Sequence, residues 1–136
     1  MPKTQDSLKV RGSYRLQITE DGKVMGDTGW QHNQIVNLGF NQYLVSTLGA
    51  IAGSKQISHM ALGTGGAPAA ADTSLAGEVE KRAAITAATS STSKTVRFTA
   101  TFNSSDSFVT NTRNLSNVAL VNTSSGGTIF AGNTFA

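Results

Sequence analysis

Two histidines, His32 and His59, are the only imidazoles in this 136-residue chain, and there is no cysteine. A nucleophilic triad could be drawn from His59, Asp72 and any of several serines. No stretch, however, sets a serine on the sharp strand-to-helix turn that exposes and activates such a nucleophile. His32 and His59, taken with Asp27 and Asp72, match no metal-ligand spacing, and without cysteine no thiolate zinc site can form. Gly63-Thr64-Gly65-Gly66 could cradle a phosphate. It lacks the lysine–hydroxyl pair of a P-loop, the last glycine of a dinucleotide fingerprint, and a following helix whose N–H groups would face an anion, since Pro68 comes next. The expectation is therefore a non-enzymatic chain with no catalytic residue, no cofactor and no metal.

The remaining candidates are surfaces. Lys9, Arg11 and Arg15 fall on one side of an alternating segment, with Lys3 upstream, and make a small basic strip. Such a strip can meet nucleic acid or an acidic protein surface, or it can keep a sheet edge soluble. Trp30 and Phe108 can anchor a protein contact, although large aromatics are more often core. The glycines Gly63, Gly65 and Gly66, with Pro68, form a small-residue loop able to lie flat against a backbone, its own or a neighbour's. Lys9, Arg11, Arg15, Trp30, Gly63, Gly65, Gly66 and Pro68 are the residues put forward for contacts between subunits. The Asn-x-Ser/Thr triplets beginning at Asn103, Asn114 and Asn122 carry no weight, because MPKTQDSLKV lacks the apolar centre of a signal peptide.

Composition agrees with a surface role. Charged residues are 14 % of the chain and the formal net charge is +3, too sparse for the dense basic face of a nucleic-acid module. Nucleic acid is therefore not an expected partner. No apolar run is long enough to span a membrane. Synthesis in the cytoplasm, with solubility there until assembly, is the expectation. A single domain over 1–136 with one core fits this length.

The positioning elements follow from periodicity. Residues 1–7 read as a polar arm and 8–36 as a hairpin. Leu8, Val10, Tyr14, Leu16 and Ile18 alternate with polar neighbours, and Gly12 marks a bulge or close backbone approach. Asp21-Gly22 is the turn, and Val24, Trp30, Ile35 and Val36 lie on the return strand. Residues 37–52 read as the one helix, with Asn37 as N-cap and Leu44, Leu48 and Ile51 on the buried stripe. Such a helix is too short to be stable alone and must lie on a sheet.

Residues 56–136 read as β-rich. The stretch Ile57–Leu75 passes from strand to glycine loop. Glu78–Thr86 is ambiguous between helix and strand, with strand favoured from Lys81. Thr95–Phe102 alternates, with Val96, Phe98, Ala100 and Phe102 inward. Phe108–Thr112 is a short strand, Asn117–Val121 a strand buried on both faces, and Thr128–Phe135 the last strand. About seven strands with regular turn signals predict a mainly β fold: an antiparallel β-sandwich-like domain with an N-terminal hairpin and one packed α-helix. The final strand stops at Ala136, so an open sheet edge is expected there, covered by the N-terminal hairpin or by a neighbouring subunit.

Three stretches carry a resemblance. They are Gly29-Trp30-Gln31-His32-Asn33-Gln34-Ile35-Val36-Asn37-Leu38-Gly39-Phe40; then Met60-Ala61-Leu62-Gly63-Thr64-Gly65 through Pro68-Ala69-Ala70 to Asp72-Thr73-Ser74-Leu75; and Val118-Ala119-Leu120-Val121-Asn122 with Gly126-Gly127-Thr128-Ile129-Phe130. Together they resemble a family of small tailed-bacteriophage virion proteins, the tail-fibre-like or minor structural proteins. The resemblance covers roughly residues 28–136. Two features depart from that pattern: members continue with one more strand, and Val118-Ala119-Leu120 stands where a glycine-bearing turn is usual.

The resemblance implies a structural role without catalysis, in a virion, among other virion proteins of the tail, portal region or capsid. A homo-oligomer, with a trimer favoured, is expected. Tail association as fibre base, collar or adaptor comes first. A capsid decoration protein and a carbohydrate-binding receptor module, using Trp30, Tyr14 or Tyr43, are the alternatives. The arm of residues 1–7, or the strand from Leu8 to Ile18, is expected to reach onto an adjacent subunit, and residues 1–18 to be separable from the folded domain.

Overall fold

The computed structural model describes residues 9–49, 52–90, 92–108 and 113–135. The polar arm, Leu8, Ile51 and most of the strand expected over Phe108–Thr112 lie outside these residues. The chain is mainly β. Its strands are β1 (Ser13–Tyr14), β2 (Gln17–Glu20), β3 (Lys23–Asp27), β4 (Gln31–His32), β5 (Gln34–Ile35), β6 (His59–Gly63), β7 (Ala83–Ala84), β8 (Thr86–Ser90), β9 (Thr95–Thr99), β10 (Asn117–Val121) and β11 (Ile129–Thr134). A five-stranded antiparallel sheet in the order β5-β11-β10-β6-β7 is the centre, and β1-β4, β2-β3 and β8-β9 form two-stranded ribbons.

β10 explains the core. It sits between β6 and β11, so its alternating side chains are covered on both faces, as an apolar run without polar alternation requires. Ala119 and Val121 join Val36, Ala61, Leu75 and Ile129 on one face. Val118 joins Leu62 and Val79 on the other, where Tyr14, Leu16, Met60, Phe102, Phe108, Leu115 and Phe135 close over them. The rings of Phe102 and Phe108 meet edge to face at 5.2 Å, so Phe108 is core and not an anchor.

The last strand is not an edge. β11 pairs with β10 on one side and with β5, from the N-terminal return strand, on the other. Of the two covers expected for it, the chain's own N-terminal part is the one found. The N-terminal segment is also more tightly integrated than expected. Tyr14 and Leu16 pack into the second core face, the Tyr14 hydroxyl donates to the Thr134 carbonyl, and Asn33 N–H donates to Gly12 O at 3.0 Å. Removing residues 1–18 would therefore take Tyr14 and Leu16 out of the core, which speaks against the expected separability.

The expected long hairpin is broken into pieces. The Asp21-Gly22 turn is present, both residues at positive φ (50° and 78°), the primed geometry that matches strand twist. Only β2 and β3 continue from it. At Gly29 (φ 65°) the return chain bends, and it then runs as β4 and β5 to join first β1 and then the main sheet.

The helix is present but turned. Gly39–Val45 is wound as a π-helix and Ser46–Leu48 adds one α-turn, α1. Leu38, not Asn37, is the N-cap and makes no side-chain cap bond; the Asn37 N–H donates to Ala70 O at 2.7 Å. Gly39 and Tyr43 are the buried positions, whereas Leu48 is 83 % exposed. The cause is contact with β11. A Cβ at Gly39 would lie 3.0 Å from the Phe130 ring and 3.1 Å from Ile35, so only glycine lets the backbone settle there. The wider π turn then carries Leu48 outward, away from the stripe that an α-helical period predicts.

Candidate functional site

The glycine loop is built into the fold. Thr64 N–H and Gly65 N–H donate to Gly77 O and Ala76 O, each at 3.1 Å, so two donors of the loop that could cradle an anion are used within the chain. A Cβ on Gly65 would fall 2.6 Å from Ala76 O. Of the two surfaces this loop could lie against, it lies against its own backbone. Asn117 then ties it to the sheet. Its side-chain amide donates to Gly66 O and Ala76 O, both at 3.0 Å, and the residue is wholly buried. Its Oδ1 faces the Cα of Gly63 with no other partner, leaving a weak C–H donor as its neighbour. Asn33 Oδ1 meets Gly12 in the same way. Gly63 is buried in these contacts and Pro68 against Gly132, so neither offers the surface expected of a subunit-contact residue; Gly65 is half-buried and Gly66 exposed.

The basic strip is divided. Lys9 and Arg11 are exposed in irregular chain ahead of β1, and Arg15 turns to Asp27. Arg15 Nε and Nη2 donate to the two Asp27 carboxylate oxygens at 3.0 and 2.5 Å. Gln17 and the Gly29 N–H also donate to Asp27, at 3.1 and 2.8 Å. Arg15 first, then Gln17 and Gly29, hold the Asp27 carboxyl well below the usual carboxylate range.

A depressed folded-state pKa gives a stability contribution that is present above the unfolded value of about 3.9 and lost as pH falls through the folded one. Acidification should therefore weaken protection of the β2–β3 amides, and Asp27→Asn should flatten that acid dependence while lowering protection at neutral pH. Amide exchange followed by NMR measures both; parallel acid profiles for the two proteins would disprove the clamp. Because the pair is exposed, raised salt should reduce the effect.

Trp30 is 52 % exposed, with the Arg97 guanidinium 5.0 Å from its ring centre. Tyr14 and Tyr43 do not join it as aromatic platforms. The Tyr43 hydroxyl donates to Thr128 O, its ring meets Phe130 edge to face at 5.2 Å, and burial raises its phenol pKa; Tyr14 is half-buried with its hydroxyl bonded and its pKa likewise raised by burial.

Ser58 Oγ and His59 Nδ1 lie 2.8 Å apart, but the Asp72 carboxylate is occupied elsewhere, accepting from Ala69 N–H at 2.9 Å. The triad drawn from the sequence is thus not assembled. Among the described residues no group of three His, Cys, Asp or Glu side chains is placed to hold a metal ion, and no helix is long and apolar enough to cross a membrane.

Sequence reasoning missed Arg82. It lines a cleft of about 350 Å³ with Glu78, Thr73 and residues 124–129. Its guanidinium takes both Glu78 oxygens at 2.6 and 2.9 Å and donates to Thr123 O and Gly126 O at 2.9 and 2.8 Å. All of these groups belong to the chain, so the arrangement is a staple for the Thr123–Gly127 turn. The signal was the Glu78/Arg82 spacing of four, which reads as a helix pair, whereas here it spans extended chain beside β7.

The two ribbons stand out most. Every residue of β2 and β8 is exposed, and β3 and β9 each hold a single half-buried one. Ile18, Val24 and Met25 are 61, 54 and 64 % exposed, and Val96 is 50 % exposed. Val96 shares a face with Phe98, as its alternation predicts, but that face is only partly covered. Comparisons with protein-family models, with curated proteins and with solved structures found no match to this chain.

Proposed function

We propose that this chain is a non-enzymatic structural component of a tailed-phage virion, tail-associated as a fibre base, collar or adaptor, that works through contacts with copies of itself and with other virion proteins. The observation that carries the reading is the pair of exposed ribbons. An isolated two-stranded ribbon is marginal in water. Here two of them present Ile18, Val24, Met25 and Val96 to solvent on a chain whose other large apolar residues mostly pack inward. Surfaces of that kind suit burial in an assembly. The sequence resemblance supplies the setting, and a surface rich in Ser, Thr and Asn suits broad polar contacts with neighbours. Of the aromatics that could hold a sugar ring, Trp30 is the one left exposed, which makes a receptor module the weaker reading.

Quantitative mass spectrometry of purified particles tests this. On the order of a dozen copies per particle is the expected result for a tail position, whereas hundreds would move the protein to the shell as a decoration protein. Absence from particles overturns the reading. A His32→Ala/His59→Ala double variant should leave infectivity intact.

A further inference from the structure

Building on the reading of the chain as a multimeric particle component, we infer that the β2–β3 ribbon of one copy docks on the apolar face of the β8–β9 ribbon of the next, giving a head-to-tail contact that closes into a ring. The two ribbons are complementary in charge and in kind. From Ala83 to Phe102 the sequence holds no acidic residue; Lys94 is the cation at the tip, while Arg97 pairs with Ala88 on the face opposite Val96 and lies over Trp30. Lys94 sits at the exposed tip, held at φ 54°. The tip of the other ribbon carries Glu20 and Asp21 beside Lys23, all exposed.

The apolar surfaces match as well. On β8–β9, Ala87, Phe98, Thr89 and Val96 share a face through the Ala87–Phe98 and Thr89–Val96 pairs. On β2–β3, Ile18 and Val24 stand on opposite faces, since Ile18 pairs with Gly26 and Thr19 with Val24, and Met25 is the unpaired residue at the bulge. The face set against Val96 is the one that carries Val24, and Ile18 lies on the other. Main-chain groups on the outer edges of these strands lie free of the central sheet, so strand addition can accompany the side-chain contact.

The contact joins different patches on the two copies, so it propagates around a rotation axis. It closes if the rotation fits, and a trimer is the smallest ring beyond a two-fold pair. It also accounts for the placement of both ribbons outside the five-stranded sheet, where each leaves apolar side chains uncovered.

The test uses the full chain and its oligomeric state by light scattering and native mass spectrometry. Wild type should be a closed multimer. Glu20→Lys alone and Lys94→Asp alone should each weaken self-association by about tenfold or more, because a tip attraction becomes a repulsion. Aspartate tolerates the positive φ at Lys94. Both substitutions in one chain restore opposite charges across every contact and should recover the multimer. As a second measurement, Val24→Cys/Val96→Cys in this cysteine-free chain should oxidise to disulfides between copies.

A monomeric wild type, single variants that remain multimeric, or a double variant that does not recover would each overturn the ring. The virion reading fails on a different result, absence from purified particles, so a monomer found in particles sinks the ring alone, and a charge-swappable ring absent from them sinks the virion reading alone.

Discussion

Asn117→Leu should lower the stability of the fold by about 2–4 kcal/mol. Leucine has the same branched shape and is larger, so no cavity forms. What is lost is the pair of N–H donors to Gly66 O and Ala76 O. Both carbonyls belong to the loop that crosses the sheet, and neither can regain a donor from leucine. Ala76 O keeps the Gly65 N–H as a donor, so Gly66 O is the acceptor that loses its partner; losing both bonds is still costly, because a domain of this size has only about 5–15 kcal/mol in total. A thermal midpoint lower by roughly 10 °C is the expected reading.

The loss should be local as well as global. Proteolysis between Thr64 and Gly77 should accelerate in the variant under conditions where the rest of the chain stays folded, since the loop loses one of its ties to the sheet and keeps the Ser116–Gly65 and Ile129–Thr73 bonds. A variant within about 0.5 kcal/mol of wild type would show that Asn117 is not the tie described. Gly63→Ala probes the same contact from the other side: its Cβ would meet Asn117 Oδ1 and lie 2.9 Å from Ala76 O, an overpacking of about 1–3 kcal/mol.

Arg82→Met should cost about 2–3 kcal/mol, and adding Glu78→Leu should return part of it. The Arg82 side chain is only 8 % exposed and the Glu78 side chain 22 %, so removing the cation leaves a partly buried anion, together with two turn carbonyls that lose their donor. Replacing the anion too removes the first penalty but not the second. Chemical denaturation of the four proteins of the cycle should give a coupling energy of about 1 kcal/mol or more between the two positions. Additive losses would mean that the pair works as independent surface charges. The carbonyl contacts should show separately, as broadened signals from the Thr123–Gly127 turn in both Arg82 variants.

The parts of the fold readable in the sequence are those fixed by rules acting over a few residues. Asp21-Gly22 specifies a primed turn because both residues accept positive φ. The run Asn117–Val121 reads as doubly buried because it has no polar alternation, and a polar residue such as Asn117 in a buried strand must have partners, although which ones they are is a matter of the fold. The alternation of Val96 and Phe98 sets their shared face, though not how little of it is covered. Gly12 reads as a close approach, and the approach is to Asn33.

For the candidate surface, the sequence named the right residue types and misjudged their neighbours. Lys9, Arg11 and Arg15 alternate as a strip, yet Asp27, which folds back across the hairpin, takes Arg15. Gly63 and Pro68 look like loop-surface residues until the loop is laid on the sheet and Gly132 meets the proline ring. Trp30 has the exposure expected of an anchor, and only the fold brings Arg97 over it. The sequence itself determined where the chain turns, which runs extend and which strand must be buried, because sterics and side-chain period act locally. Tertiary structure alone decided that β11 is covered by β5, that the helix faces the sheet through Gly39 and Tyr43, and that two ribbons are left outside it. Strand partners and register depend on contacts between residues up to about a hundred positions apart, and no short window of sequence contains both sides of such a contact.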